Sequence, residues 1–364
     1  MATTTLNTTI GDEPAATPAS TYATHLTKVT QGRRRRTRRS RIAIAALLTL
    51  LVVLLAAMIM LGNTIYPLRD VLAVIAGEHV QGASFAVGTL RIPRALTGAL
   101  AGIAFGIAGT TFQTMLRNPL ASPDVIGITS GASAAAMLAL VALHWSPSAT
   151  MLLALAAGIT TAAVIYLMAR SGESTGGRLI LIGIGIGAML DAVVSYLVQR
   201  AAEWDVAVAM RWLTGSLNGA RIEAIGPLAI AVAILAPLVL FLSRDLSALE
   251  LGDASATALG VRVDRSRVLL ILAAVALACF ATATTGPIAF VAFLAGPIAS
   301  RFVGPGTSLV IPAALTGACL VLAADLLGQF AFDTKFPVGV ITGILGAPYL
   351  LFLLVRTSRL GGSS

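Results

Sequence analysis

Charge is scarce in this chain. Asp, Glu, Lys and Arg make up 11% of its 364 residues, less than half of the ~25% typical of a soluble domain. Lysine occurs only at Lys28 and Lys335. Neither follows a Gly-rich loop, and no GxxxxGK[ST] occurs, so the chain has no P-loop; ATP-driven work would need a second polypeptide to bind the nucleotide. The two cysteines, Cys279 and Cys319, sit inside apolar runs and read as small buried hydrophobes rather than halves of a disulfide. The three histidines, His25, His79 and His144, have no ligand spacing, which predicts no metal site. None stands where it could activate a buried serine. No pair of Asp-rich segments suggests a Mg-dependent prenyl-transfer site. These absences argue against an enzyme.

Apolar residues are abundant. AVILMFWYC account for 57% of the chain and glycine contributes 35 residues more, against ~45–50% apolar including glycine in soluble domains. A soluble fold cannot hide that much apolar surface, so the chain reads as an all-α, polytopic membrane protein. Residues 1–40, rich in Thr, Ala and Pro without an apolar period, read as a disordered basic tail. The membrane domain is expected over 41–357, with a flexible tail at 358–364. Ile42–Leu61 is the first span. It is too long for a signal-peptide core and lacks a small-residue cleavage site after it, so it reads as a retained anchor. Further runs at 94–115, 122–143, 149–169, 179–199, 223–243, 267–285, 287–303, 307–327 and 337–355 make ten spans. The run at 287–303 is short and carries Pro287 and Pro297.

An even number of spans puts both termini on one side. With the N-terminus inside, 18 of the 25 Lys and Arg residues fall inside and seven outside, as the positive-inside rule requires. Six arginines lie within Arg33–Arg39 and Arg41 follows. Such a run can bind nucleic acid, but no aromatic or groove-reading element accompanies it. A basic flank before an apolar span marks the cytoplasmic side. The expected location is the cytoplasmic (inner) membrane, with both termini cytoplasmic.

Gly98, Gly102 and Gly106 form overlapping GxxxG steps, and Gly183 and Gly187 form another. Small residues at i, i+4 let helices approach closely in lipid. The alternative for 183–187, a phosphate loop, lacks the third glycine of GxGxxG. Intramembrane acids flag ion paths or satisfied polar contacts. Asp124 follows Pro123 at a span start, where a helix N-terminus favours an acid. Asp325 is near a span end, and Asp191 sits well inside its helix. Segment 244–267 is a long polar break. Its Ala- and Leu-bearing stretch 254–259 favours a short helix between Gly252 and Gly260, with Gly260 suited to a C-cap. It reads either as a docking element for a soluble partner or as a plain structural loop.

Several blocks, in order, resemble one family. They are Leu90-Arg91-Ile92-Pro93-Arg94, Gly109-Thr110-Thr111-Phe112-Gln113, Arg117-Asn118-Pro119-Leu120-Ala121, Pro123-Asp124-Val125-Ile126-Gly127, Leu251-Gly252-Asp253 with Ala258-Leu259-Gly260-Val261, and 336–348. From about residue 42 to 356 the chain resembles the FecCD-type permeases of ABC importers, which carry iron-siderophores, cobalamin or haem. Ser122–Val125, Gly215–Gly219 and Leu249–Asp253 look most like the ferric-enterobactin-type subunit. One departure is Gly296-Pro297-Ile298-Ala299-Ser300-Arg301, where the family often shows PHIAR.

The resemblance implies a type II ABC importer permease fold. It implies a second FecCD-type permease subunit, favoured as a heterodimer, two ATPase subunits and an extracytoplasmic siderophore-binding protein. No nucleic acid partner is implied. This chain would bind no cofactor; ATP and Mg would sit on the ATPases. Leu251, Gly252, Asp253, Ala258, Leu259 and Gly260 would couple to the ATPase, and Arg117, Asn118 and Pro119 would form a conformational loop on the cytoplasmic side. Arg91, Arg94 and Lys335 would dock the binding protein, with headgroup anchoring as the alternative for the two arginines. Gly172, Gly176, Gly183, Gly187 and Asp191 would line or gate the path. An ion-coupled secondary carrier and a membrane scaffold without flux are the readings from other classes.

Overall fold

The computed structural model describes residues 18–124, 127–169 and 175–361. Fourteen α-helices run through them: α1 Pro18–Met60, α2 Leu68–Ile75, α3 Ile92–Met115, α4 Ile128–Met137, α5 Pro147–Ala169, α6 Thr175–Arg200 and α7 Glu203–Leu213, then α8 Ile222–Phe241, α9 Ser243–Glu250, α10 Asp253–Ala258, α11 Val263–Thr285, α12 Val291–Val303, α13 Val310–Phe330 and α14 Val338–Gly361. Two π-helical stretches, Ser84–Arg91 and Leu138–Ala142, extend α3 backward and α4 forward. Seven helices are long and apolar enough to cross a membrane. Three shorter apolar helices, Ile128–Ala142, Val291–Val303 and Val338–Leu353, occupy the remaining expected runs.

The centre of the fold is α3, and its glycines explain why. A Cβ on Gly102 would strike the backbone of Gly317 and Ala318 on α13, and one on Gly109 would strike the carbonyl of Ala292 on α12. Bare glycine backbone lets α12 and α13 lie directly on α3, where dispersion over close surfaces holds helices together in lipid. Phe105 and Phe112 of α3, Leu270 and Leu277 of α11 and Leu322 of α13 fill the space around this seam and are fully buried. Cys319 is buried against the Leu47 carbonyl of α1, and Cys279 lies opposite Gly158 of α5. Both thiols are free.

Both tails differ from the expected boundaries. Residues 1–17 lie outside the described residues, but 18–40 are helical and continuous with the first span. At ~1.5 Å per residue the 43-residue α1 is about 65 Å long, longer than a whole bilayer at ~40–45 Å. The Arg, Lys, Gln and Ala that look like a solvated tail are also good helix formers. The run is pinned as well. Arg39 donates from Nε to the Phe302 carbonyl at 2.9 Å and from Nη2 to the Arg301 carbonyl at 2.7 Å. These are end carbonyls of α12, which lack partners of their own and favour a cation. At the other end of the chain, α14 runs on through residues 358–361 rather than stopping at 357.

Candidate functional site

Two clusters of motif residues stand at opposite ends of the bundle. The first lies at the end marked by Arg39 and α12. Here α9 is anchored through buried Leu246 and Leu249. Gly252, at φ +102°, turns the chain into α10. That helix closes at Gly260, φ +85°, where Val261 N–H donates to the Ala256 carbonyl and Gly260 N–H to the Thr257 carbonyl. This is the paired bonding of a glycine C-cap, as the Gly252/Gly260 bracket predicts. Only Ala256 of α10 is buried. Leu251 and Leu259 project from its two ends at 66% exposure each. Asp253 pairs with Arg267 at 2.8 Å, and Ser266 Oγ donates to Asp245, tying both short helices to α11.

Arg117 stands beside this element. It follows α3 in the left-handed region at φ +51°, where its N–H donates to Thr114 and that of Asn118 to Gln113. This is the same C-cap geometry with arginine in the place glycine normally takes. Such strain costs on the order of 1–3 kcal/mol and persists where a side chain is needed. The Arg117 guanidinium reaches Gly252. Asn118 Oδ1 accepts the Leu120 N–H at 2.9 Å, turning the loop through Pro119. A cleft of about 560 Å³ opens among Arg117, Asn118, Pro119, Glu250, Pro297 and Arg301, so the 117–119 loop and the end of α9 line one cleft. Replacing Arg117 with glycine is expected to raise thermal stability by about 1 kcal/mol while lowering transport, as read by unfolding temperature and uptake rate on the same variant.

The Gly296-Pro297 departure also has a physical account. Pro297 lacks the N–H that would bond the Phe293 carbonyl one turn earlier. Gln113 supplies it instead, donating from Nε2 to Phe293 O at 2.9 Å in a buried setting. A Cβ on Gly296 would collide with Gln113 Oε1, so the glycine admits the side chain that repairs the proline break. Arg301, one turn past the proline, lies over the rings of Tyr349 and Phe352 of α14 at 5.3 and 5.5 Å.

The second cluster stands at the opposite end. Arg91 and Arg94 are half-buried there, and both engage their guanidinium groups within the chain. Arg91 donates to the carbonyls of Ile59, Met60 and Thr64 at 3.0, 2.8 and 2.7 Å and lies over Tyr66, closing the end of α1. Arg94 forms a two-pronged pair with Asp325 at 2.7 and 2.8 Å. Asp325 is fully buried and also accepts from Gln329 at 2.7 Å. Asn218 accepts from Arg94. Asp325 is therefore a satisfied polar contact, one of the readings open to it. Lys335 is exposed. Three glycine-bearing turns meet nearby: Ser216 N–H donates to the Thr285 carbonyl at 2.8 Å, and Gly339 N–H to the Gly215 carbonyl at 3.1 Å. Gly215 and Gly286 both have positive φ and would clash with neighbouring backbone if they carried a Cβ.

Of the residues expected on the path, Gly172 lies outside the described residues and Gly176 is in the first turn of α6. Gly183 and Gly187 pack against Gly127, the left-handed turn before α4, so their spacing serves helix contact. The opposite face of α6 is exposed along Leu181, Ile184, Ala188, Asp191 and Ser195, a stripe at i, i+3/i+4 spacing. Asp124, just before that turn, keeps Oδ2 buried without a hydrogen-bond partner. Among the described residues no three His, Cys, Asp or Glu side chains converge as metal ligands would.

Comparison with known proteins gives this arrangement a family. The FecCD transport family matches residues 48–356. The chain belongs to the FecCD transport family. It is 41% identical over 292 residues to the ferric enterobactin transport system permease protein FepG of Escherichia coli (strain K12), covering 80% of this chain and 88% of that protein. It is 37% identical over 311 residues to the achromobactin transport system permease protein CbrC of Dickeya dadantii (strain 3937), covering 83% and 88%. A solved metal-chelate type ABC transporter in an inward-facing conformation superposes with a TM-score of 0.77 at 25% identity, covering 86% of this chain and 98% of that one. This FecCD permease is thus a multi-pass transport subunit with an ABC importer permease fold, not an enzyme.

Proposed function

We propose that the chain is the permease subunit of an ABC importer that moves an iron(III)-siderophore across the cytoplasmic membrane, driven by separate ATPase subunits. The observation that carries the cargo is the 41% identity to FepG, whose name gives ferric enterobactin. A permease protein of a Fe(3+)-citrate import system in Bacillus subtilis (strain 168) is 39% identical, which supports the same cargo class. The lack of an iron-ligand cluster among the described residues is compatible with a metal that travels already chelated. A second reading, cobalamin, is favoured by 33% identity to the cobalamin import system permease protein BtuC of Halobacterium salinarum.

The α9–α10 element, with Leu251 and Leu259 exposed and Gly252, Asp253, Ala258 and Gly260 setting its shape, supports an ATPase contact. Arg117, Asn118 and Pro119 behind it link that contact to α3. The exposed stripe of α6 through Asp191 supports a path wall completed by a second permease subunit. FepG and FepD are two permease proteins named for one system, and this chain is 41% and 35% identical to them, which supports a heterodimer. Orientation with both termini cytoplasmic rests on the basic-residue bias. Lys335 lies on the opposite side in that orientation. It would meet an acidic surface of the binding protein there, mainly steering encounter and register.

The test is uptake of labelled iron by cells with and without the gene, across a panel of ferric siderophores with labelled cobalamin as control. Loss for one siderophore class is expected. Loss of cobalamin uptake alone would transfer the assignment to the second reading.

A further inference from the structure

The arginine run of α1 divides into two faces. At about 100° per residue, Arg36 and Arg39 point one way, Arg33, Arg34, Thr37, Arg38 and Arg41 point the other, and Arg35 stands between the two faces. The first face is used by the fold: Arg39 caps α12, and Arg36 lies over Gly306 in the turn that follows. This docking fixes the rotation of the helix. The second face surrounds an open groove of about 420 Å³ that ends at Ile42, the first apolar residue of the span. All four of its arginines are exposed, and among the described residues none forms an ion pair.

Nothing in the local sequence neutralises them. No Asp or Glu occurs from residue 14 to residue 69. Arg34 and Arg38 stand at i, i+4 and Arg38 and Arg41 at i, i+3, spacings at which like charges on a helix repel. The cluster therefore gains from an external anion. Its position selects which one. Arg33 to Arg41 rises about 12 Å from the point where the apolar span begins, which covers the headgroup layer of one leaflet at roughly 5–8 Å. Guanidinium forks match phosphate oxygens in geometry.

We propose that Arg33, Arg34, Arg38 and Arg41 form a binding site for the phosphates of anionic phospholipids in the leaflet where α1 begins. The site is held in register by Arg36 and Arg39 on the protein side of the same helix. It does not depend on what the permease carries.

The test uses the full chain purified in detergent and titrated with phosphatidylglycerol or phosphatidylcholine, with bound lipid counted by native mass spectrometry. Phosphatidylglycerol is expected to bind at least about tenfold more tightly, each arginine near the surface contributing on the order of fivefold. The variant with Arg33, Arg34, Arg38 and Arg41 all changed to Gln is expected to lose that preference. The corresponding all-Lys variant is expected to keep most of it, and both are expected to unfold at the wild-type temperature because the four side chains are exposed. Equal binding of the two lipids by the wild type, or full preference retained by the Gln variant, would overturn the proposal. Displacement of phosphatidylglycerol by millimolar inorganic phosphate would reassign the site to a free anion, and stronger capture of an oligonucleotide than of lipid would reassign it to nucleic acid. Either result would overturn the lipid assignment.

Discussion

Changing Arg94 to alanine is expected to destabilise the protein by about 3–5 kcal/mol, enough to empty the membrane fraction of folded chain. The reason is the partner rather than the arginine. Asp325 is fully buried in α13. Removing the two-pronged guanidinium leaves that carboxylate in an apolar surround with only Gln329. Arg94→Lys is expected to recover part of the loss, because an ammonium cannot offer two parallel N–H groups. The double change Arg94→Met with Asp325→Leu is expected to recover most of it, since an apolar pair of similar volume removes the desolvation cost altogether. Thermal unfolding of the detergent-purified chain reads all three. An Arg94→Ala variant that melts with the wild type would show that the pair contributes nothing to stability.

The second large effect is functional. Leu251→Asp with Leu259→Asp is expected to reduce co-purification with the partner ATPase at least about tenfold, since apolar anchors at the centre of an interface carry most of its energy. The unfolding temperature is expected to stay within a degree or two of the wild type, because both side chains are 66% exposed in the isolated chain. Retention of the ATPase would remove α10 from the coupling role. Loss of the ATPase together with a large drop in unfolding temperature would assign the two leucines to the fold instead.

The parts of this structure that depend on local chemistry are legible in the sequence. Ten apolar runs give ten apolar helices. Glycines at Gly102 and Gly106 mark the helix that the others touch along its backbone. Gly252 and Gly260 bracket a six-residue helix because each must adopt positive φ.

The parts that depend on distant partners are not legible. Arg94 and Asp325 are separated by 231 positions, and their pairing gives an apparent surface cation a fully buried partner. Gln113 and the Phe293 carbonyl are 180 apart. A helix-breaking proline there looks like a departure from pattern until its orphaned carbonyl is seen to have a donor. The basic run misleads in a third way. Its composition suits a solvated tail, but Arg39 has a helix end to cap 262 residues away, and the chain stays helical through it.

Transport through this chain is expected to be driven by ATP hydrolysed on another polypeptide. The most direct measurement is uptake of the labelled ferric siderophore in cells whose partner ATPase carries an inactive Walker lysine, compared with wild-type cells treated briefly with a protonophore. Uptake is expected to stop with the inactive ATPase and to continue in the protonophore while cellular ATP lasts. Uptake that survives the inactive ATPase and collapses with the proton gradient would contradict this coupling and identify an ion-coupled carrier.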